Sequence, residues 1–101
     1  HIRMARRLAE MIALENDFQT LAPVTINVVC FRFKPKGAGE EEINKLNETL
    51  NHKLNDTGKI YLTHTVISGM YTLRIVTGQT NVTMDHVEKA WDLIRKTART
   101  L

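Results

Sequence analysis

The sequence holds one cysteine, Cys30, in 101 residues, so no disulfide can close within the chain. Cys30 lies in the apolar run "VVCFRF" and is expected as a buried, reduced thiol, which fits a cytoplasmic setting. No apolar run approaches the length that crosses a bilayer, and no signal-peptide pattern is present, so no membrane partner is expected. Charge of one sign is also scarce. Lys and Arg number 14 against 11 Asp and Glu, and the acids are interspersed with the bases. That balance falls short of a nucleic-acid-binding strip. The histidines, His1, His52, His64 and His86, show no ligand spacing and have no second cysteine to join, so no metal centre is expected. "KPKGAGEE" lacks the spacing of a phosphate loop, and "VCFRFKPKG" lacks the glycine-containing signature of an RNA-recognition strand. No Ser/His/Asp or Cys/His set has interpretable spacing. Low-complexity segments and internal repeats are missing too.

What is present is one domain's worth of ordinary globular sequence, 43% hydrophobic and 25% charged. In "HIRMARRLAEMIALEND" the residues Ala5, Leu8, Ala9, Ile12 and Ala13 recur at helical spacing, which predicts an amphipathic helix over about residues 1–15. "FQTLAP" predicts a short strand ended by Pro23. "TINVVCFRFKP" predicts a longer one, buried on both faces over part of its length. Pro35, Gly37 and Gly39 mark a loop. "EEEINKLNETLNHKLNDTG" repeats Ile43, Leu46, Leu50 and Leu54 at steps of three and four. Its three opening glutamates suit the positive end of a helix dipole, and Gly58 suits its stop. "KIYLTHTV" and "MYTLRIVTG", joined at Ile67-Ser68-Gly69, predict a β-hairpin. "TNVTMDHVEKAWDLIRKTART" predicts a last helix, capped by Thr83 with Val87, Trp91, Ile94 and Ala98 inward. The pattern is α+β: a small antiparallel sheet with helices packed on one face.

Alternation along "MYTLRIV" puts Tyr71, Leu73 and Ile75 under the helices, and Met70, Thr72, Arg74 and Val76 on the other face. That second face is too apolar to stay wet, with Val28 and Cys30 as neighbours, and calls for a cover. Arg74 is its charged member, and a guanidinium taken from water needs an anion. A structural salt bridge would satisfy it; so would a ligand. His64, among hydroxyl-bearing neighbours in "YLTHTV", is a second candidate, with a structural hydrogen-bonded histidine as the plainer reading. The triplets at Asn47, Asn55 and Asn81 match a glycosylation pattern, and an Asn- and Thr-rich chain produces such matches by chance.

The chain opens at His1 without an initiator methionine and with an uncapped helical pattern, which reads as a piece cut from a longer protein. The succession "HIRMARRLAEMI", "VVCFRFKP", "LNETLN", "GKIYLTHTVISGMYTLRIVTG" and "HVEKAWDLI" resembles the C-terminal small domain of the group II pyridoxal-phosphate-dependent decarboxylases, in the aromatic-L-amino-acid decarboxylase branch. The resemblance implies the C-terminal domain of a fold-type-I enzyme. Residues 1–16 would be a linker helix from a large domain missing here, and residues 17–101 the small domain that caps the active site. It implies pyridoxal phosphate bound by that large domain, a homodimeric parent, and a small amino-acid substrate. At the position matching Arg74, related decarboxylases carry an active-site arginine that can bind a carboxylate. The resemblance implies that the family's Schiff-base lysine belongs to a histidine-lysine motif of the large domain; the one such pair here, His52-Lys53, falls in the predicted second helix of the small domain. The expectation is therefore a C-terminal piece of a decarboxylase, inactive alone and holding neither cofactor nor catalytic residue, with Arg74 receiving a carboxylate or the active-site loop that covers it and, second to it, His64 touching substrate. The alternatives are a stand-alone α+β binding module and a dimerisation module. Aromatic amino acids, diaminobutyrate and glutamate are the substrates in order of preference, and aldehyde-forming variants remain open.

Overall fold

The computed structural model describes residues 2–21, 27–76 and 83–101. Its elements run α1 (Ile2–Ala13), β1 (Phe18–Leu21), β2 (Val28–Phe33), α2 (Glu40–Asp56), β3 (Thr63–Ile67), β4 (Met70–Val76) and α3 (Met84–Ala98). This is the expected order. Of the residues used in the sequence reading, His1, Pro23, Thr25, Ile26, Gly78 and Asn81 lie outside the described ones.

The strands form one antiparallel sheet in the order β1-β2-β4-β3. Register carries the strand alternation across it. Phe18 faces Phe33, Val29 faces Ile75 and Phe31 faces Leu73, so one apolar layer accumulates on the helix side. Phe18, Phe31 and Trp91 of α3 interlock there, with the Phe18 and Trp91 rings edge to face at 4.8 Å. Ala5, Leu8 and Ile12 put α1 into this same core, and Leu50 and Leu54 add α2. The inner stripe of α3 is the expected one: Val87, Trp91, Ile94 and Ala98 are all buried. Thr83 caps α3, its hydroxyl accepting from the backbone N–H of His86 while the His86 ring accepts from Thr83.

A second use of α2 lies beside its leucines. Asn47 is fully buried; its Oδ1 accepts from Phe33 N and its Nδ2 donates to Phe33 O. Asn44 does the same for the β3–β4 hairpin, reaching Gly69 O and Tyr71 N. Asn55 grips both backbone groups of Leu62, and Asn51 donates to the Tyr71 hydroxyl. Steps of three and four residues set these amides in a row along the sheet side of the helix. Asn47 and Asn55 are thus committed to the fold, which accounts for two of the glycosylation-like triplets.

Three local expectations need correction. The strand predicted from Lys59 begins only at Thr63. Asn55 has captured the N–H and C=O of Leu62, so a sheet ladder cannot use them. Cys30 is a free thiol but half-buried, because Val29 and Phe31 take the helix side and alternation turns Cys30 outward. Ala13, the last residue of α1, is exposed.

Candidate functional site

The face turned away from the helices carries two arginines, and the fold treats them differently. Arg32 alternates with Phe31 and Phe33, so burying both rings sends its side chain to the uncovered face. It is only 2% exposed there and fully engaged. Its Nε donates to Gln19 Oε1 at 2.8 Å, and its two terminal nitrogens reach both oxygens of Glu40 at 2.8 and 3.3 Å. The hydrogen bond from Arg32 holds the Glu40 carboxyl below the usual carboxylate range. The sequence reading passed over Arg32. The signal was there: a cation between two phenylalanines of a strand, with a carboxylate opening the next helix.

Arg74 is the other case. It pairs with Cys30 on one side and Thr63 on the other, and Leu21 completes that row through Cys30. Its side chain is half-buried and makes no hydrogen bond or ion pair with any described residue. It lines a cavity of about 280 Å³ where the sheet meets the N-terminal turns of α3. Ile60, Tyr61 and Thr63 form one wall, and His86, Val87 and Ala90 another. No described carboxylate lines the cavity, so an anion bound to Arg74 there would come from outside the described residues.

His64 is not part of this arrangement. It pairs with Leu73, on the helix-side alternation, and stacks on Tyr71 with ring centroids 4.6 Å apart and planes within 9°. Burial pushes the Tyr71 phenol up from its ordinary value. Arg74 and His64 therefore stand on opposite faces of the sheet, and no single small ligand on one face touches both.

No family model matches the chain. Individual proteins do. The chain is 35% identical over 105 residues to tyrosine decarboxylase 4 of Petroselinum crispum, covering 100% of this chain and 21% of that protein. The crystal structure of Catharanthus roseus tryptophan decarboxylase in complex with L-tryptophan superposes with a TM-score of 0.91 at 34% identity, over 99% of this chain and 21% of that one. Rhodiola rosea 4-hydroxyphenylacetaldehyde synthase superposes equally well, TM-score 0.91, at 28% identity over 99% of this chain and 21% of that one. The chain spans about a fifth of the length of the curated relatives it matches. In fold, and in sequence over its own whole length, the chain is similar to the C-terminal part of group II pyridoxal-phosphate-dependent decarboxylases. Within that class it is similar to the aromatic-L-amino-acid decarboxylase branch.

The described residues do not themselves build a place for pyridoxal phosphate. The cavity has no carboxylate to face a pyridinium nitrogen, and Lys59 at its rim is exposed. What the described residues offer a ligand at this cavity is Arg74, between Ile60, Tyr61 and Thr63 on one side and His86, Val87 and Ala90 on the other.

Proposed function

We propose that this chain is the C-terminal domain of a decarboxylase that uses pyridoxal phosphate and acts on an aromatic or related L-amino acid, and that Arg74 receives the substrate carboxylate or the loop that covers it. Residues 1–16 would connect to an upstream domain holding the cofactor, and residues 17–101 would close over the site. The reading includes a homodimeric, cytoplasmic parent enzyme, supported by the family likeness and by the lone thiol. The observation that carries the site assignment is the contrast between the two arginines: Arg32 has its anion, and Arg74, beside a cavity, has none among the described residues.

The chemistry suits the residue. A guanidinium presents parallel N–H groups that match two carboxylate oxygens, which fixes orientation as well as distance. Orientation matters because the bond to the departing carboxylate must be held in one direction. The pair with Arg74 forms on binding and persists in the transition state, where the departing group still carries charge, so it is uniform binding. Arg74 should therefore act mainly on KM, and so on kcat/KM. The electron sink is the cofactor's contribution, supplied from outside this chain. His64 faces the other way and has no role in this reading.

The test is to produce the polypeptide with its upstream sequence and measure carbon dioxide release from L-tyrosine, L-tryptophan and L-glutamate, with and without pyridoxal phosphate. Cofactor-dependent release from the aromatic substrates is expected. No release, or release from glutamate alone, contradicts the proposal.

A further inference from the structure

Of the wall beside Arg74, Thr63 is held by the sheet, whereas Ile60 and Tyr61 are not. Ladder pairing begins at Thr63, and the preceding segment, which supplies Lys59, Ile60 and Tyr61 to the cavity, lies outside it. Its fixed point is Leu62, which is 2% exposed with its side chain in the core. Both backbone groups of Leu62 go to one side chain. Asn55 Oδ1 accepts from Leu62 N at 2.8 Å, and Asn55 Nδ2 donates to Leu62 O at 3.1 Å. Asn51 steadies the amide, its Oδ1 accepting from Asn55 Nδ2 at 3.2 Å. From this geometry we propose that Asn55 is a positioning residue for the carboxylate site: it sets the distance between Ile60 and Tyr61 and Arg74, and so the fit of the substrate body. The inference rests on the reading of Arg74 given above.

A buried N–H and C=O need partners, and a primary amide can satisfy one of each at once. Remove the amide and Leu62 must turn its backbone toward water. The residues on either side move with it, and these are the residues that line the cavity. Asn47 supplies an internal comparison. It makes the same two-point contact with Phe33, at the far end of β2 and on no wall of the cavity. Loss of either amide weakens the fold, but only loss of Asn55 should disturb the site.

The experiment uses the enzyme with its upstream sequence and compares Asn55→Ala, Asn47→Ala and Arg74→Lys. Asn55→Ala is expected to raise KM about tenfold with kcat within about twofold of wild type. Hydrogen exchange at the Leu62 amide should rise at least about tenfold in the same variant. Asn47→Ala is expected to speed exchange at Phe33 and leave KM unchanged. Equal KM values for the two asparagine variants would overturn the positioning role. If Arg74→Lys leaves kcat/KM unchanged, the carboxylate site itself falls, and the role of Asn55 with it. Should Asn55→Ala fail to fold, Asn55→Asp replaces it. Its carboxylate keeps the bond from Leu62 N but repels Leu62 O, and a wild-type KM there would equally overturn the inference.

Discussion

Asn47 and Phe33 form a closed pair: the amide of one satisfies both backbone groups of the other, each bond at 2.8 Å, in a place with no access to water. The same Nδ2 also donates to Ile43 O, one turn back on α2. Asn47→Ala leaves Phe33 N and O without partners at the end of β2. At roughly 1–3 kcal/mol for each buried group so orphaned, a loss of about 3 kcal/mol is expected. Denaturant unfolding measures it. A change below about 0.5 kcal/mol would show that the strand end finds other partners.

The hairpin that carries Arg74 turns on Ser68 and Gly69, whose φ values are +51° and +78°. Two consecutive left-handed residues make the turn whose twist matches the flanking strands. A methyl group at Gly69 would meet no atom within 4 Å, so the cost of Gly69→Ala is a backbone cost. A loss of about 1 kcal/mol is expected for it, and a gain of about 0.5 kcal/mol for Ser68→Asn. Thermal unfolding of the two variants should shift in opposite directions.

Arg32 and Glu40 predict an asymmetry. Arg32 is 2% exposed, whereas the Glu40 side chain is 63% exposed. Arg32→Met replaces a buried charge with an apolar chain of similar length. Glu40→Ala leaves the buried guanidinium with Gln19 as its remaining partner. The second change should lower the unfolding midpoint more than the first, and adding Arg32→Met to Glu40→Ala should recover stability. Equal effects of the two single changes would mean that water replaces Glu40 without cost.

Arg99 ties the end of α3 to the turn before β1, donating to both oxygens of Asp17 at 3.0 Å and to Glu15. The hydrogen bonds from Arg99 hold the Asp17 carboxyl below its ordinary range. A depressed folded-state pKa adds stability above the unfolded value, near pH 4, and that contribution is lost as pH falls through the folded value. Arg99→Gln should therefore reduce stability at neutral pH and narrow its gap to wild type as pH drops below about 4. A gap that is constant from pH 7 to pH 3 would exclude the pairing.

Much of this was readable in the residues. The stripe Val87, Trp91, Ile94 and Ala98 follows from helical spacing, and the outward turn of Arg74 from strand alternation between Leu73 and Ile75. Periodicity reports which side a residue faces. It does not report which backbone groups a distant side chain will capture, and so the late start of β3 and the wall at Leu62 were hidden. The four asparagines of α2 sit beside the leucines at the same spacing, but a polar residue at a helical interval reads as surface until a strand end is known to lie opposite it. Arg32 was obscured for a related reason: its partner Glu40 stands beyond a loop, where no repeat links them. The different faces of Arg74 and His64 required the β3–β4 register, which pairs Thr63, not His64, with Arg74.

The central claim is that Arg74 recognises a carboxylate, and the most direct measurement compares ligands that differ in that group alone. In the enzyme with its upstream sequence, the affinity for an aromatic L-amino acid and for the corresponding amine is measured in wild type and in Arg74→Gln. The account predicts that the substitution weakens the amino acid at least about tenfold, leaves the amine within about twofold, and lowers kcat/KM in step. Equal weakening of both ligands, or of neither, would contradict it.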